Sequence, residues 1–470
     1  MKKFLVFFSI LLLTIYSCKD DESAVSESLA VSFAVPSANL TDEVTDVVIS
    51  FSKTTPSAGT ITLGVTETEA KYGVDYTTNP TGSGSSLTIP FEAGVSKVVF
   101  KFNKLIPAIE GEIKNVKYTI NSISTNYEIT GNNTTVLNFN ETALTGKSLA
   151  PQVGGPSQAN QVYIDLSSGA MTTVPRVSWD LGFYSGNEFR VILNNSVKMS
   201  AKSLNSIDLT AVVAEDNTML ISQGAGSVNQ IDNPTGVITG TAIAEVSAND
   251  AENAVYLINL GSNPRSTPPA LGSPAADSGS HRGWKKVRIL RNGNGYKFQY
   301  ADINATTFNE VIIDKNTAFN FNFFSFTANA TVNVEPQKDK WDLNFTTFTN
   351  AVNMGGGQLI PYFYPDFVVN NSKGGAFVYS VSTADFSYDA FTMANVDQSK
   401  FINDQRGVGS SWRGTSAPGP DGNPMSQFVL KTDVFYVLKD PAGNIYKIKM
   451  TGGALPNLER GHPTFVYSLL

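Results

Sequence analysis

Cysteine and histidine are almost absent from this sequence of 470 residues, which contains one Cys and two His. A disulfide framework or a zinc site of the C-x-x-C type needs several cysteines, so the single Cys18 excludes both. Stability must therefore come from burial of apolar side chains, and the chain is 41% hydrophobic. Frequent Phe, Tyr, Thr and Val, together with 38 Gly, favour strands and turns over helices.

Motifs that carry catalysis are also missing. The sequence contains no H-E-x-x-H, G-x-S-x-G, P-loop or C-x-x-C pattern. Chemistry by a pair of carboxylates is the one catalytic option left, and sequence alone does not place two carboxylates at a working distance. The formal net charge of -7 argues against nucleic acid as a partner. The sequence therefore predicts a binding protein without enzymatic activity.

Long hydrophobic runs are confined to the N-terminus. Lys2 and Lys3 precede an uncharged, mostly apolar run over residues 4–16. This layout is typical of a secretory signal, and the run is shorter than the roughly 20 residues that a membrane-spanning helix needs. We predict a signal peptide over residues 1–17. No later segment is long and apolar enough to cross a membrane.

The lone cysteine stands directly after this predicted leader. The sequence Ile-Tyr-Ser-Cys that ends at Cys18 resembles the lipobox of bacterial lipoproteins, in which the cysteine is lipidated. The charged residues Lys19, Asp20, Asp21 and Glu22 resemble the surface-export signal of Bacteroidetes lipoproteins. These resemblances imply a lipid-anchored protein of the outer membrane that is exposed at the cell surface, with residues 18–30 as a tether. A chance cysteine followed by a solvated linker is the alternative.

Short strand patterns follow over residues 31–140. Runs such as VTDVVISFSK, LTIPFEAG and SKVVFKFNK alternate apolar and polar residues between Gly, Pro, Asn and Ser, which is typical of a β-sandwich. The Gly-Val-Asp-Tyr turn and the two strands after it resemble the Calx-beta family. In that family acidic loop residues can bind calcium, which prefers several oxygen ligands. The resemblance makes Glu67, Glu69 and Asp75 weak calcium candidates; a spacer sandwich with surface carboxylates is the alternative.

Two copies of one short motif lie in the rest of the chain. Trp179-Asp180-Leu181 and Trp341-Asp342-Leu343 are each followed by Phe two residues later. Alternate positions of a strand share one face, so Trp, Leu and Phe predict two core strands. The recurrence is compatible with an internal duplication, and it leaves open whether the copies form one domain or two. A Pro/Ser-rich insertion lies between them, around residues 261–283.

The region from 141 to 470 resembles the HmuY family of Bacteroidetes surface lipoproteins. The resemblance is carried by VYIDLSSG, SWDLGF, FRVILNN, KWDLNF, DFVVNN, VFYVLKDPAGNIYKIKM and GHPTFVYSLL. It implies an all-β chain in which the N-terminal β-sandwich is followed by a larger HmuY-like antiparallel β domain. It further implies binding of haem for iron acquisition, with transfer to a TonB-dependent outer-membrane receptor.

Axial haem ligands are usually His, Met, Cys or Tyr. Founding members of the family use two histidines, but here we interpret His281 and His462 as structural or solvent-facing. Some relatives use methionine, and Met393 and Met425 lie in polar, turn-rich sequence late in the domain. These two methionines are the haem-ligand candidates.

Aromatic residues near the candidate ligands leave a second function open. Tyr388, Phe391 and Trp412 are suited either to flank a porphyrin or to fill the core. A glycan-binding or adhesive surface lipoprotein on the same β scaffold is the alternative function. It would display Trp or Tyr on a flat face, whereas haem binding requires ligands across an apolar cleft.

Overall fold

The computed structural model of the chain describes residues 29–222, 225–266, 279–353, 355, 357–418 and 424–470. The chain divides into two compact units between Glu141 and Thr142. The helices of the described residues are three-residue 3-10 turns, and none has the length and apolar character needed to cross a membrane. They are Gly155–Ser157, Arg176–Ser178, Asn195–Val197, Asn217–Met219, Val228–Gln230, Ile238–Gly240, Asp250–Glu252, Met393–Asn395 and Gln398–Lys400. The predicted all-β class is confirmed.

The first unit is a sandwich of two five-stranded sheets. Its strands are β1 (Leu29–Phe33), β2 (Ser37–Leu40), β3 (Val44–Phe51), β4 (Gly59–Thr68), β5 (Tyr76–Asn79), β6 (Ser86–Phe91), β7 (Lys97–Lys104), β8 (Ala108–Ile109), β9 (Asn115–Ile123), β10 (Tyr127–Ile129) and β11 (Thr134–Phe139). One sheet has the order β10-β1-β3-β7-β5 and the other β2-β11-β9-β4-β6. The short strand β12 (Glu141–Thr142) follows at the boundary between the units.

Alternation along each strand builds the core of the first unit. In β6, Leu87, Ile89 and Phe91 are buried and the residues between them are exposed. Side chains of successive strand residues point to opposite faces, so this pattern turns one face of the sheet inward. Tyr76 and Phe102 stack in that core with ring centroids 4.7 Å apart.

The described residues of the second unit form twenty strands. They are β13 (Gly146–Leu149), β14 (Asn160–Ile164), β15 (Met171–Pro175), β16 (Leu181–Tyr184), β17 (Val191–Leu193), β18 (Ser200–Ser203), β19 (Tyr256–Asn259), β20 (Trp284–Asn292), β21 (Gly295–Asp302), β22 (Asn309–Ile313), β23 (Phe321–Ser325), β24 (Ala330–Val332), β25 (Leu343–Asn353), β26 (Leu359–Asn370), β27 (Phe377–Ser382), β28 (Arg413–Pro418), β29 (Pro424–Leu430), β30 (Val434–Lys439), β31 (Ile445–Ala454) and β32 (Arg460–Leu469). Of these, β25 and β26 flank residues 354 and 356, which lie outside the described part of the chain.

Four sheets and one hairpin organise these strands. The sheet orders are β13-β32-β31-β30-β27, β15-β14-β25-β26, β17-β16-β23-β24 and β18-β19-β20-β21-β22, and β28 pairs with β29. Turn chemistry fixes two of the hairpins, and the Asn-Gly-Asn-Gly sequence at residues 292–295 predicts the first of them. Asn292 faces Gly295 across the β20–β21 turn, where Gly293 has φ +57°, and Gly443 has φ +94° between β30 and β31. Positive φ favours glycine at both places.

The two Trp-Asp-Leu copies form interleaved sheets within this one unit. Each copy consists of a first hairpin, β14–β15 or β23–β24, followed by a hairpin that begins with the motif, β16–β17 or β25–β26. The first hairpin of one copy pairs with the motif strand of the other, because β14 pairs with β25 and β23 pairs with β16. The copies therefore complete each other's sheets.

Both motif aspartates have the same role in this arrangement. Asp180 Oδ2 accepts a hydrogen bond from Phe326 N at 2.7 Å, and Asp342 Oδ2 accepts one from Leu166 N at 2.8 Å. Each aspartate thus accepts a hydrogen bond from the backbone shortly after a strand of the other copy, β23 for Asp180 and β14 for Asp342. Asp180 also forms an ion pair with Arg282 at 2.7 Å. The aspartate of the motif links the two copies, while its Trp and Leu enter the core.

Candidate functional site

Met393 lies in the long connection between β27 and β28. It begins the 3-10 turn Met393–Asn395, in which Thr392 N donates a hydrogen bond to Asn395 Oδ1 at 2.9 Å. Lys447 on β31 fixes the approach to this turn, because its Nζ donates to the carbonyl of Phe391 at 3.0 Å. The Met393 side chain is 52% exposed. The backbone of the turn is thus anchored while the thioether faces outward.

A groove of about 970 Å³ adjoins this turn. It is lined by β27 and by Phe386, Phe391 and Asn395, so the neighbours of Met393 in the chain form part of its wall. Phe386 is 41% exposed, and its ring meets the buried ring of Phe391 edge-on with centroids 5.6 Å apart. The exposed Lys400 adds a cation to the lining. Asp385 and Asp397 also line the groove, which therefore combines an aromatic patch with charges of both signs.

Met425 lies on β29, where it faces Ala417 of β28 in the hairpin. Its side chain lies outside the described part of the structure. The hairpin packs near the C-terminal end of β31, where the Phe428 ring lies close to Gly453. The pairing of Met393 with Met425 at one iron therefore stays a prediction.

The nearby aromatic residues divide between core and groove. Trp412 is 1% exposed, and its Nε1 donates to the carbonyl of Asp366 at 3.1 Å, so it is a core residue and does not flank a ligand. Phe391 has one side in the core against Phe435, at a centroid distance of 5.3 Å. Tyr388 is half-buried and its hydroxyl donates to the carbonyl of Lys447 at 3.3 Å. Sequence alone did not separate these roles.

Both histidines make local contacts. His281 shares a hydrogen bond with Asn259 Oδ1 at 2.8 Å, and burial lowers the pKa of its imidazole. His462 contacts Glu459 at 2.9 Å on the last strand. The two imidazoles thus contact different residues, as is expected if both histidines have structural roles.

The carboxylates predicted as calcium ligands are already used by the protein. Glu67 Oε1 accepts hydrogen bonds from Tyr72 N at 2.8 Å and from the Tyr76 hydroxyl at 2.9 Å. Glu69 Oε2 accepts one from Ile113 N at 3.2 Å. These bonds hold the loop after β4, and each acid serves a different backbone segment.

Asp75 is similarly occupied. It forms an ion pair with Lys114 at 3.0 Å, and its other oxygen accepts a hydrogen bond from Lys71 N at 2.8 Å. Over the described ranges, no group of three or more His, Cys, Asp and Glu side chains is arranged to hold a metal ion. The structure thus does not bring Glu67, Glu69 and Asp75 into one ligand cluster, because each is bound to its own partner.

The predicted lipid-attachment and export residues Cys18, Lys19, Asp20, Asp21 and Glu22 lie outside the described residues and remain predictions. Residues 267–278, in the middle of the Pro/Ser-rich insertion, also lie outside the described residues. All four tryptophans of the chain are described, and Trp179, Trp284, Trp341 and Trp412 are each 7% exposed or less. They therefore supply no exposed Trp for the flat face that the glycan-binding alternative would use.

Comparison with solved structures finds partial matches to both units. The apo form of the Calx CBD1 domain covers 24% of this chain and 96% of its own, at 11% identity and a TM-score of 0.20. The apo HmuY analog of Tannerella forsythia covers 70% and 97%, at 14% identity and a TM-score of 0.17. A two-domain protein with unknown function from Bacteroides fragilis NCTC 9343 covers 65% and 85%, at 10% identity and a TM-score of 0.19. A search of curated proteins gave no significant match.

A scan against protein-family profiles matches the HmuY protein family over residues 157–467. The matched residues make up more than half of the chain. They include both Trp-Asp-Leu copies, the Met393 turn and the closing strands, so the match spans nearly all of the second unit. The chain therefore belongs to the HmuY family.

Proposed function

We propose that this chain is a non-catalytic binding protein that takes up haem, or a similarly planar ligand, in the groove beside Met393. The observation that carries the proposal is the half-exposed thioether on an anchored turn next to a groove with an aromatic patch. A thioether is a soft ligand that haem iron accepts in axial position. Family membership supports the same class of ligand.

The groove suits both parts of a haem molecule. The rings of Phe386 and Phe391 offer an apolar wall for the porphyrin face. Lys400 offers a cation that can pair with a propionate carboxylate at the edge. Met425, on the β28–β29 hairpin, is proposed as the second axial ligand.

We further propose that Cys18 carries the lipid and that residues 19–22 direct the protein to the cell surface. An acylated terminus is held at a membrane by about 0.8 kcal/mol per buried CH₂ group. From the outer membrane the protein would pass its ligand to a TonB-dependent receptor for iron acquisition. No catalytic step is part of the proposal.

The decisive experiment is a visible-absorption titration of the purified chain with hemin, in the oxidised and reduced states. Met393→Ala and Met425→Ala are titrated in parallel. Met171→Ala is the matched control, because Met171 lies on β15 and is 43% exposed. We expect a saturable Soret shift for the wild type and the control, and a weakened or altered shift for the two test variants.

The outcomes separate the parts of the proposal. A shift that survives both substitutions would keep haem and discard methionine ligation. A shift lost in Met393→Ala alone would keep the groove and discard Met425. Absence of any shift in either redox state would exclude haem as the ligand.

A further inference from the structure

A second pocket, of about 660 Å³, is lined by residues of both Trp-Asp-Leu copies. Trp179 meets Phe323 edge-on at a centroid distance of 4.7 Å, and Trp341 meets Tyr163 in the same way at 5.0 Å. Each pair joins the motif tryptophan of one copy to the first hairpin of the other. The interleaved copies thus surround one pocket with matched aromatic pairs.

Side-chain amides are unusually frequent in this pocket. They are Gln161, Asn195, Asn320, Asn344, Asn370, Asn371 and Gln405. An amide both donates and accepts hydrogen bonds, so a ligand with groups of both kinds can be held by such a lining.

Two of these amides leave one donor and one acceptor unused. Asn344 Nδ2 donates to Gln161 Oε1 at 3.4 Å. Gln161 Nε2 and Asn344 Oδ1 are buried and have no hydrogen-bond partner among the described residues. A hydroxyl group can satisfy both atoms, since it accepts and donates. A buried polar atom without a partner costs about 1–3 kcal/mol, so a ligand that supplies one gains affinity.

Other pocket residues repeat this pattern. The indole Nε1 atoms of Trp179 and Trp341 and the Oγ of Ser372 are also buried without a partner in the described structure. The indoles only donate, whereas the hydroxyl does both. The unused groups therefore come from both copies, as a ligand held between them requires.

The charged residues of the pocket are internally compensated. Glu335 Oε1 accepts a hydrogen bond from Phe321 N at 2.9 Å, and burial raises the pKa of this carboxyl to about 8. Lys373 Nζ donates to the carbonyl of Gly236 at 2.6 Å, and burial lowers the pKa of this amine to about 8. Both charged side chains of the lining are thus bound to the surrounding backbone.

We propose that this pocket binds a hydroxyl-rich small molecule of the sugar type. The apolar C–H faces of such a molecule can pack against the aromatic pairs. Its hydroxyls can form hydrogen bonds with Gln161 Nε2, Asn344 Oδ1 and Ser372 Oγ. The site is separate from the groove beside Met393 and does not depend on haem binding.

The test is calorimetric titration of the full chain with D-galactose, D-mannose, L-fucose and N-acetyl-D-glucosamine at millimolar concentration, followed in parallel by tryptophan fluorescence. Asn344→Leu and Gln161→Met keep side-chain size and remove the hydrogen-bonding groups. Asn309→Leu is the control, because Asn309 is exposed on β22. We expect at least one sugar to bind saturably, and each pocket variant to weaken binding about tenfold or more.

Two results would overturn the proposal. One is a wild-type chain that binds none of these sugars, including the case in which a planar heterocycle such as adenine binds instead. The other is sugar binding that is unchanged in both pocket variants. If the amide variants do not fold, Ser372→Ala decides the question, because it removes one hydroxyl with little change in packing.

Discussion

The two units use their candidate ligand atoms differently. In the first unit Glu67, Glu69 and Asp75 accept hydrogen bonds from the surrounding chain, so a cation would have to displace those donors. In the second unit the Met393 turn is anchored through its backbone and leaves the thioether half exposed. A ligand gains most from atoms that are held in place and not yet used. The comparison favours the second unit as the working part.

The largest expected effect is on the free energy of unfolding, when a buried acid that forms ion pairs is removed. Asp366 in the second unit is buried with Arg413 and Arg460 and also accepts from Gln158 Nε2 at 2.6 Å. Asp366→Ala leaves two buried guanidinium groups without their acid, which we expect to cost about 3–5 kcal/mol of unfolding free energy. Chemical denaturation, with the signal of each unit followed separately, measures this loss.

The counterpart in the first unit is Asp75→Ala, which removes a single ion pair to Lys114. We expect a smaller loss, of about 1–2 kcal/mol, in the transition of the first unit. Equal losses for the two variants would show that the Asp366 cluster adds nothing beyond one pair.

The next effect sharpens the assignment of the groove. Phe386→Ala removes an exposed ring from its wall, and we expect hemin affinity to fall about tenfold because burial of such a ring is worth about 1.5–3 kcal/mol. Phe308→Ala is the matched control, since Phe308 is 42% exposed and Phe386 is 41% exposed. A similar loss in both variants, measured by absorption titration, would point to non-specific adsorption of hemin.

The pocket between the copies should make stability depend on pH. Burial raises the pKa of Glu335 from its ordinary 4.5 to about 8, so between these values the folded chain holds a proton that the unfolded chain has lost. The free energy of unfolding therefore falls as pH rises through this range. We expect Glu335→Gln to remove about 1–3 kcal/mol of that fall, as measured by denaturant midpoints at several pH values.

Asp232, whose pKa burial raises to about 6, should leave a residual slope below pH 6 in the Glu335→Gln variant. An unchanged slope between pH 6 and 8 in that variant would contradict the assignment of the proton to Glu335.

The smallest effect is expected from calcium on the first unit. Its candidate carboxylates must give up hydrogen bonds to bind the ion, so we expect a stabilisation below about 1 kcal/mol at millimolar calcium. Thermal unfolding with and without calcium, repeated for Glu67→Gln, measures it. A large rise in midpoint at micromolar calcium, lost in Glu67→Gln, would mean that the loop rearranges into a true cation site.

Local patterns in the sequence predicted much of the fold. Alternation identified strands such as β3, β6 and β7, and Asn-Gly turn chemistry identified the β20–β21 hairpin. The Trp and Leu of both motifs are core residues, as their spacing predicts. These features depend on neighbours a few residues apart, which a single sequence displays.

Long-range features escaped the same reasoning. The pairing of β14 with β25 joins segments that share no local signal, and the pocket between the copies exists only because of that pairing. Trp412 was equally suited to groove or core until its neighbours were known. The repeated Asn-Asn-Ser that follows each motif hairpin, at 194–196 and 370–372, was the one signal that could have indicated the shared pocket.

The pairing of strands between the two copies also determines when parts of the chain can fold during synthesis. Val162 of β14 pairs with Phe345 of β25, which is synthesised 183 residues later. At a synthesis rate of about 5–20 residues per second, this delay lasts about 9–37 s. During it, the edge of β14 that will pair with β25 is open to other strands. For a chain that is exported, this interval is the time over which the cell has to keep the first half apart from its neighbours.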